Sequence, residues 1–150
     1  MTVSISVDEL AGAAVRDLGD SDWQTVTQER IDAFARATGD DQWIHVDRER
    51  AASGPYGATI AHGFLTLSLL PVMLREIYTV SGAAMAVNYG VNRVRFPAPL
   101  RSGSQVRAHA ELIAAERVPG GVHVVTRVTV TARDAERPCC VAELVTRFIL

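Results

Sequence analysis

The sequence has little of what marks secreted, membrane-spanning or nucleic-acid-binding proteins. Its two cysteines, Cys139 and Cys140, are adjacent, and neighbouring residues rarely reach the geometry of a disulfide. We therefore expect two small, buried or half-buried thiols in a reducing compartment. The N-terminal segment MTVSISVDELAG lacks the basic start and the long apolar stretch of a signal peptide, which favours a cytoplasmic location.

The charge balance and the apolar runs argue against two further classes of protein. Fifteen basic and 17 acidic residues give a net charge of −2, whereas a general nucleic-acid binder usually has a basic excess. The longest apolar run, from Phe64 to Leu74, is interrupted by Thr66, Ser68 and Pro71. It is too short for a bilayer, which requires about 20 residues. We expect neither a nucleic-acid partner nor a membrane partner.

The length and the hydrophobic content predict a single domain over residues 1–150, since 48% of the residues are hydrophobic and can form a core. Thr27 is a typical N-cap and Gly39 a typical C-cap, which predicts an amphipathic helix over about 28–38. A short helix is expected from Asp47 to Ala52. From Gly63 to about Val80 the pattern is apolar on nearly all sides, which is typical of a buried helix.

After Gly82 the hydrophobic period changes to two, which predicts strands. Four long strands are expected at Met85–Phe96, Gln105–Arg117, Val122–Arg133 and Pro138–Ile149. Turn residues separate them, so the order favours an antiparallel meander. One buried helix before about four strands predicts an α+β domain in which the antiparallel sheet wraps around the helix.

A carboxylate and an imidazole, Asp40 and His45, lie five positions apart just beyond the first predicted helix. Together these groups can move protons near neutral pH. Gly63 begins the apolar helix, where free N–H groups and a partial positive charge favour an anion, and a residue without Cβ permits close approach. The three residues predict a catalytic site. The simpler alternative is a capping Asp and a packed His.

Three motifs resemble those of the MaoC-like (R)-specific enoyl-CoA hydratases and dehydratases, a family with the hot-dog fold. The family pattern Gly-Asp-x-Asn-Pro-x-His, followed by an acidic residue two positions later, is matched by Gly39, Asp40, Ile44, His45 and Asp47. The second motif is matched by Ala61-His62-Gly63, and the third by the segment from Asn92 to Pro99. Gln42-Trp43 replaces the usual Asn-Pro, so the geometry of this loop depends on other contacts.

The resemblance implies reversible hydration of a trans-2-enoyl thioester to a (3R)-hydroxyacyl thioester in fatty acid metabolism. It implies that Asp40 and His45 hold the water and that the Gly63 amide binds the thioester oxygen, with no cofactor and no metal. Candidate substrate-binding residues are Gln42, Trp43, His62, Ser68, Asn92 and Arg93.

Four of these residues have a simpler alternative. The bulky side chain of Trp43 is more simply explained by packing, and the ring of His62 by holding a loop in place. The hydroxyl of Ser68 can bond the backbone of its own helix. Arg93 can bind phosphate or lie on a solvated strand face.

The resemblance also implies a homodimer, and an open sheet edge requires some cover. Two other functions stay open: an acyl-CoA thioesterase and a non-catalytic acyl-thioester-binding subunit. A thioesterase often carries a carboxylate on the central helix, where Glu76, near the far end, is the sole acid. The sequence does not distinguish a CoA thioester from an acyl-carrier-protein thioester as the substrate.

Overall fold

Eight strands and five helices make up the chain, which the computed structural model describes over residues 1–150. The first part contains β1 (Val3–Ser6), α1 (Val7–Ala11), β2 (Arg16–Asp20), β3 (Gln24–Thr25), α2 (Gln28–Thr38), α3 (Trp43–Val46), α4 (Arg48–Ala52) and α5 (Gly63–Ile77). The second part contains β4 (Tyr78–Ser81), β5 (Met85–Arg95), β6 (Gln105–Val118), β7 (Gly121–Ala132) and β8 (Cys140–Ile149).

The main sheet has six strands in the order β2-β6-β7-β8-β5, with β3 also paired to β6. All of its pairs are antiparallel. The predicted meander is confirmed for β6, β7 and β8. It is wrong for β5, which pairs with β8 instead of β6. The connection over residues 96–104 therefore leads from the edge strand β5 past β8 and β7 to β6, instead of making a tight turn between neighbours.

The sheet packs its apolar face against α5, which confirms the hot-dog arrangement. Val122, Val124, Val128 and Val130 of β7 are fully buried, as their alternation predicted. Leu70 and Met73 of α5 are also fully buried in the same core. Burying such a side chain stabilises the fold by roughly 1.5–3 kcal/mol. No helix combines the length and the apolar character required to cross a membrane.

The central helix differs from its prediction in two respects. It ends at Ile77 rather than near Val80, because Tyr78–Ser81 pairs in parallel with β1 as a separate two-stranded sheet. It is also not buried on all sides, since Phe64 and Val72 are 67% and 44% exposed. With exposed Ser68 between them, these residues form a stripe along the helix. The edge strand β5 is exposed along nearly its whole length.

Candidate active site

The end of α2 sets the position of Asp40. Thr27 caps the start of this helix, and Gly39 ends it with a φ of 80°, a conformation that a side chain with a Cβ would strain. The Asp40 N–H donates to Thr38 Oγ1 at 3.3 Å, and the Asp40 carbonyl lies 2.8 Å from His62 Nε2. The backbone of Asp40 is therefore fixed on both sides. Its exposed carboxylate forms no hydrogen bond or salt bridge within the chain.

The imidazole of His45 lies on the short helix α3 and is 7% exposed. Its Nδ1 is 2.7 Å from the carbonyl oxygen of Ile60. Because a carbonyl can only accept, Nδ1 carries the hydrogen in this contact. Nε2 has no hydrogen-bond partner within the protein, so a neutral His45 presents its lone pair there. This is the arrangement that a general base requires.

Gln28 holds the main chain of His45 in place, and the sequence pattern did not indicate this role. Its Nε2 donates to the His45 carbonyl at 2.7 Å and to Asp32 Oδ1 at 2.8 Å. The hydroxyl of Thr59 donates to its Oε1. Gln28 opens α2, where an exposed polar residue is usual, so its burial could not be read from periodicity. It links α2, the His45 helix and the segment before α5.

Replacing Gln28 with Ala is expected to lower the free energy of unfolding by about 1–3 kcal/mol, because buried polar partners lose their hydrogen bonds. Urea denaturation monitored by circular dichroism measures this loss. Asp32→Ala is the matched control, because it removes a more exposed contact of the same amide and should cost less. Equal stability of the Gln28 variant and the native chain would contradict the role assigned to this residue.

Gly63 begins α5 at the edge of a cavity of about 340 Å³. His45, Thr66, Phe96 and Cys139 also line this cavity. The helix start has no side-chain cap, and the N–H of Gly63 has no acceptor within the chain. A Cβ at this position would lie 2.8 Å from the ring of Phe96. Gly63 thus presents a free amide donor in a space that a larger residue would obstruct.

The rings of His45 and His62 stack, with centroids 3.8 Å apart and planes 25° apart. One ring nitrogen from each and one carboxylate oxygen of Asp40 all lie within 4.8 Å of one another. Asp40 is not among the residues that line the cavity, but its carboxylate is beside His45. The ring of His62 holds the Asp40 loop in place, which is the simpler alternative predicted for this residue. Its Nδ1 is buried without a partner.

The structure does not bring the other candidate residues into this cavity. Gln42 is exposed at the start of α3, and Trp43 packs under the guanidinium of Arg50 and against Gly54. Ser68 donates to the carbonyl of Phe64 at 2.7 Å, as a serine bonding its own helix does. The contacts of Trp43 and Ser68 match the simpler alternatives from the sequence.

Asn92 and Arg93 lie on the edge strand β5, and Asn92 falls within an irregularity of its pairing. Arg93 lines a separate cavity of about 350 Å³, together with Arg95, Arg127 and Glu143. Arg127 is already paired with Glu143 and Glu111. The two cavities share Pro97 as a lining residue. The arginines therefore border the His45 cavity without entering it.

Both cysteines are free and buried, as predicted. Burial raises the pKa of the Cys139 thiol to about 11 and that of Cys140 to about 12. Cys139 Sγ also donates to the carbonyl of Val130. The thiol in the cavity wall is thus neutral near pH 7 and is a poor nucleophile.

The other two histidines, His109 and His123, are both half-buried on strands of the main sheet. His109 Nδ1 lies 2.9 Å from Asp20 Oδ1, and His123 packs against the ring of Tyr89. The Nε2 of His123 is buried without a partner. Neither residue approaches the His45 cavity.

Comparison with known proteins identifies the family. The family model described as "MaoC like domain" matches residues 10–134. The 3-hydroxyacyl-thioester dehydratase Z of Mycobacterium tuberculosis is 52% identical over 145 residues, covering 96% of each chain. Nodulation protein N of Rhizobium leguminosarum bv. viciae is 42% identical over 145 residues, covering 95% of this chain and 90% of the relative.

A solved structure with the same fold is the (R)-hydratase from A. caviae involved in PHA biosynthesis. It superposes with a TM-score of 0.70 at 20% identity and covers 91% of this chain and 98% of the other. At that identity the likeness concerns the fold. The family match and the long alignments with the curated relatives go further: this chain is a hydro-lyase and belongs to the MaoC-like dehydratase family.

Proposed function

We propose that the chain catalyses the reversible hydration of trans-2-enoyl thioesters to (3R)-hydroxyacyl thioesters in fatty acid metabolism. The observation that supports this proposal is that His45 lines one cavity with the free amide of Gly63 and also lies beside the Asp40 carboxylate. The name of the Mycobacterium tuberculosis relative, a 3-hydroxyacyl-thioester dehydratase, supports the same substrate class.

Asp40 and His45 supply the proton transfers in this proposal. A water molecule held between the carboxylate and His45 Nε2 attacks the β-carbon, and its oxygen forms the new C–O bond. One proton leaves the water for the Asp40–His45 pair, and one proton passes from the pair to the α-carbon. The pair returns to its starting state, and its two groups titrate as a unit. Such acid–base assistance typically contributes about 10²–10⁴ in rate.

Gly63 supplies the electrostatic stabilisation. Attack on the β-carbon moves negative charge onto the thioester oxygen, and the free N–H at the start of α5 can donate to it. The dipole of a helix of 15 residues acts in the same direction. The helix backbone fixes the direction of this N–H, and the N–H has no other acceptor. It therefore needs no rearrangement as the charge develops.

One assay separates this function from its two alternatives. Purified protein is mixed with a short enoyl-CoA, and the enoyl absorbance and the free thiol are followed together. We expect absorbance to fall without thiol release. Thiol release would instead indicate a thioesterase. Binding with neither change would indicate a non-catalytic acyl-thioester-binding subunit.

The thioesterase alternative has less structural support. It uses a carboxylate placed to direct water at the thioester carbonyl, and Glu76 is the acid on α5. Glu76 lies next to the end of the helix, where its carboxylate accepts from the N–H of Asp22 at 3.2 Å. It is not among the residues that line the His45 cavity.

Arg93 and Arg95 are proposed to bind a phosphate of the thioester carrier. They line the cavity that borders the catalytic one through Pro97, and neither forms a salt bridge within the chain. Guanidinium groups bind phosphate through paired N–H donors. We expect Arg93→Ala to raise the Michaelis constant for CoA thioesters at an unchanged turnover number. Arg16→Ala, on the opposite edge strand, is the control. An unchanged Michaelis constant for the Arg93 variant would refute the phosphate role.

A second copy of this chain is proposed to cover the edge strand β5 and the stripe on α5. An unpaired edge strand can bind the same strand of another copy through a twofold axis. Exposed apolar residues accompany this edge on both elements: Phe64, Val72, Met85, Val87, Tyr89 and Val91. In this assembly Ser68 faces the second copy. The cytoplasmic location and the single domain over residues 1–150 stay predictions.

Val87→Lys is expected to separate the copies, because a charge placed between two apolar edges must be desolvated without a partner. Light scattering should give twice the chain mass of 16.2 kDa for the native protein and the mass of one chain for Val87→Lys. Val15→Lys, at an exposed apolar residue near β2, is the control and should keep the native mass. A native protein of single mass would refute the dimer.

A further inference from the structure

We propose that the hydroxyl of Thr66 is a second hydrogen-bond donor to the thioester oxygen, beside the N–H of Gly63. This inference rests on the proposed hydration and adds a substrate-binding residue to it. Thr66 lies three positions after Gly63 on α5 and lines the same cavity of about 340 Å³. Residues three apart on a helix share one face. The amide and the hydroxyl therefore reach the cavity from a single rigid element.

The hydroxyl of Thr66 has no hydrogen-bond partner within the chain, although the residue is only 2% exposed. A hydroxyl within a helix often donates to the carbonyl four residues earlier. Thr38 and Ser68 do so, at 2.8 Å and 2.7 Å. The corresponding carbonyl for Thr66 is that of His62, which accepts only the main-chain N–H of Thr66, at 3.2 Å. The hydroxyl of Thr66 thus stays free for another acceptor.

This free hydroxyl opens onto the cavity. Its oxygen is not fully enclosed, whereas the unpartnered Nδ1 of His62 is. Since Thr66 lines the His45 cavity and is otherwise buried, the accessible part of the hydroxyl faces that space. A buried hydroxyl without a hydrogen bond is unfavourable. A substrate oxygen that enters the cavity can supply the missing acceptor.

The position of Thr66 on the helix favours the thioester oxygen over the attacking water. Side chains on a helix lean toward its N-terminus, and three residues span only about 4.5 Å of the axis. The hydroxyl therefore lies close to the amide of Gly63, whereas the water of the proposed hydration is held by Asp40 and His45. A carbonyl oxygen has two lone pairs, so it can accept from the amide and the hydroxyl together.

Kinetics of two variants test this contact. Thr66→Val removes the hydroxyl and keeps the branched shape of the side chain. We expect the turnover number for a short enoyl-CoA to fall by about 10²-fold, with a nearly unchanged Michaelis constant, because the bond strengthens as charge develops on the oxygen. Thr66→Ser retains a hydroxyl and should recover much of this loss.

Thr126→Val is the matched control. Thr126 is also fully buried, but its hydroxyl lies 3.4 Å from that of Tyr78, and it does not line the cavity. The same chemical change at this position should keep the native turnover number. Circular dichroism checks the fold of each variant.

An infrared measurement separates a contact with the substrate from an effect on packing. Asp40→Asn, which is expected to bind an enoyl-CoA without hydrating it, is loaded with a short enoyl-CoA that carries a heavy carbon isotope at the carbonyl. Isotope-edited difference spectra are then recorded with and without Thr66→Val. Hydrogen bonds weaken the carbonyl bond, so we expect the C=O stretching frequency to rise when the hydroxyl is removed.

A native turnover number in Thr66→Val, or a carbonyl frequency that this change does not move, would overturn the contact. Thr66→Ser keeps the test decisive if the Val variant fails to fold, since loss of the native frequency there would also contradict a role for the hydroxyl. A native chain that binds an enoyl-CoA but does not hydrate it would refute the proposed function. The carbonyl frequency would still decide the contact of Thr66 in that case.

Discussion

Asp40→Asn is expected to lower the turnover number for enoyl-thioester hydration by about 10²–10⁴-fold, the usual worth of a general acid–base group. The amide keeps the size of the side chain but cannot accept a proton from water. The fold should be unaffected, because this exposed carboxylate makes no hydrogen bond or salt bridge within the chain. Steady-state kinetics at saturating enoyl-CoA measures the loss, and thermal unfolding checks the fold.

Asp41→Asn is the matched control for this experiment. It removes the same charge from the next residue, which is also exposed. If the Asp40 effect came from a general change of charge near the cavity, the two variants would lose similar activity. Full activity of Asp40→Asn would reject the assignment of this carboxylate.

Gly63→Ala keeps the backbone N–H but is expected to lower the turnover number by about 10²–10³-fold, because the added methyl group keeps the thioester oxygen from the amide and so cancels most of the effect of one oxyanion donor. The added methyl group would lie 2.8 Å from the ring of Phe96 and would intrude where the thioester oxygen must approach. Helix stability gives no reason for a loss, since Ala is a better helix former than Gly. Stopped-flow hydration assays, with circular dichroism as a check on the fold, measure the effect.

A double variant distinguishes the amide from the aromatic ring. Phe96→Ala removes the neighbour that the new methyl group would strike. If the methyl group acts by keeping the thioester oxygen from the residue 63 amide, the activity of Gly63→Ala combined with Phe96→Ala should stay well below that of Phe96→Ala alone. Equal activities of these two variants would show that the single change acted by displacing Phe96.

The helices and strands that have strong patterns could be predicted from the sequence. Capping residues set the limits of α2, and the alternation of β7 identified its buried face. The weak patterns of the first 24 residues hid β1, α1 and β2. Tyr78–Ser81 continued an apolar run, so the sequence did not separate the end of α5 from β4. Local hydrophobic patterns do not indicate which strands pair in parallel or which strand is the partner of an edge strand.

The site was predictable where chemistry is local and unpredictable where the fold joins distant segments. Asp40, His45 and Gly63 came from short motifs; in the structure His45 lies beside Asp40 and lines one cavity with Gly63. The contact of Gln28 with His45 spans 17 positions, and the stack of His45 on His62 depends on how two loops meet. Arg93 came from the third motif, but the pairing of β5 with β8 places it in the neighbouring cavity.

Phe96 directly follows β5, so the strand that a second copy is proposed to cover continues into the wall of the catalytic cavity. Any shift of this strand on separation of the copies moves the aromatic ring that lies against Gly63. Assembly and pocket shape are then linked through a single peptide bond. On dilution, specific activity should fall over the same concentration range in which the copies part.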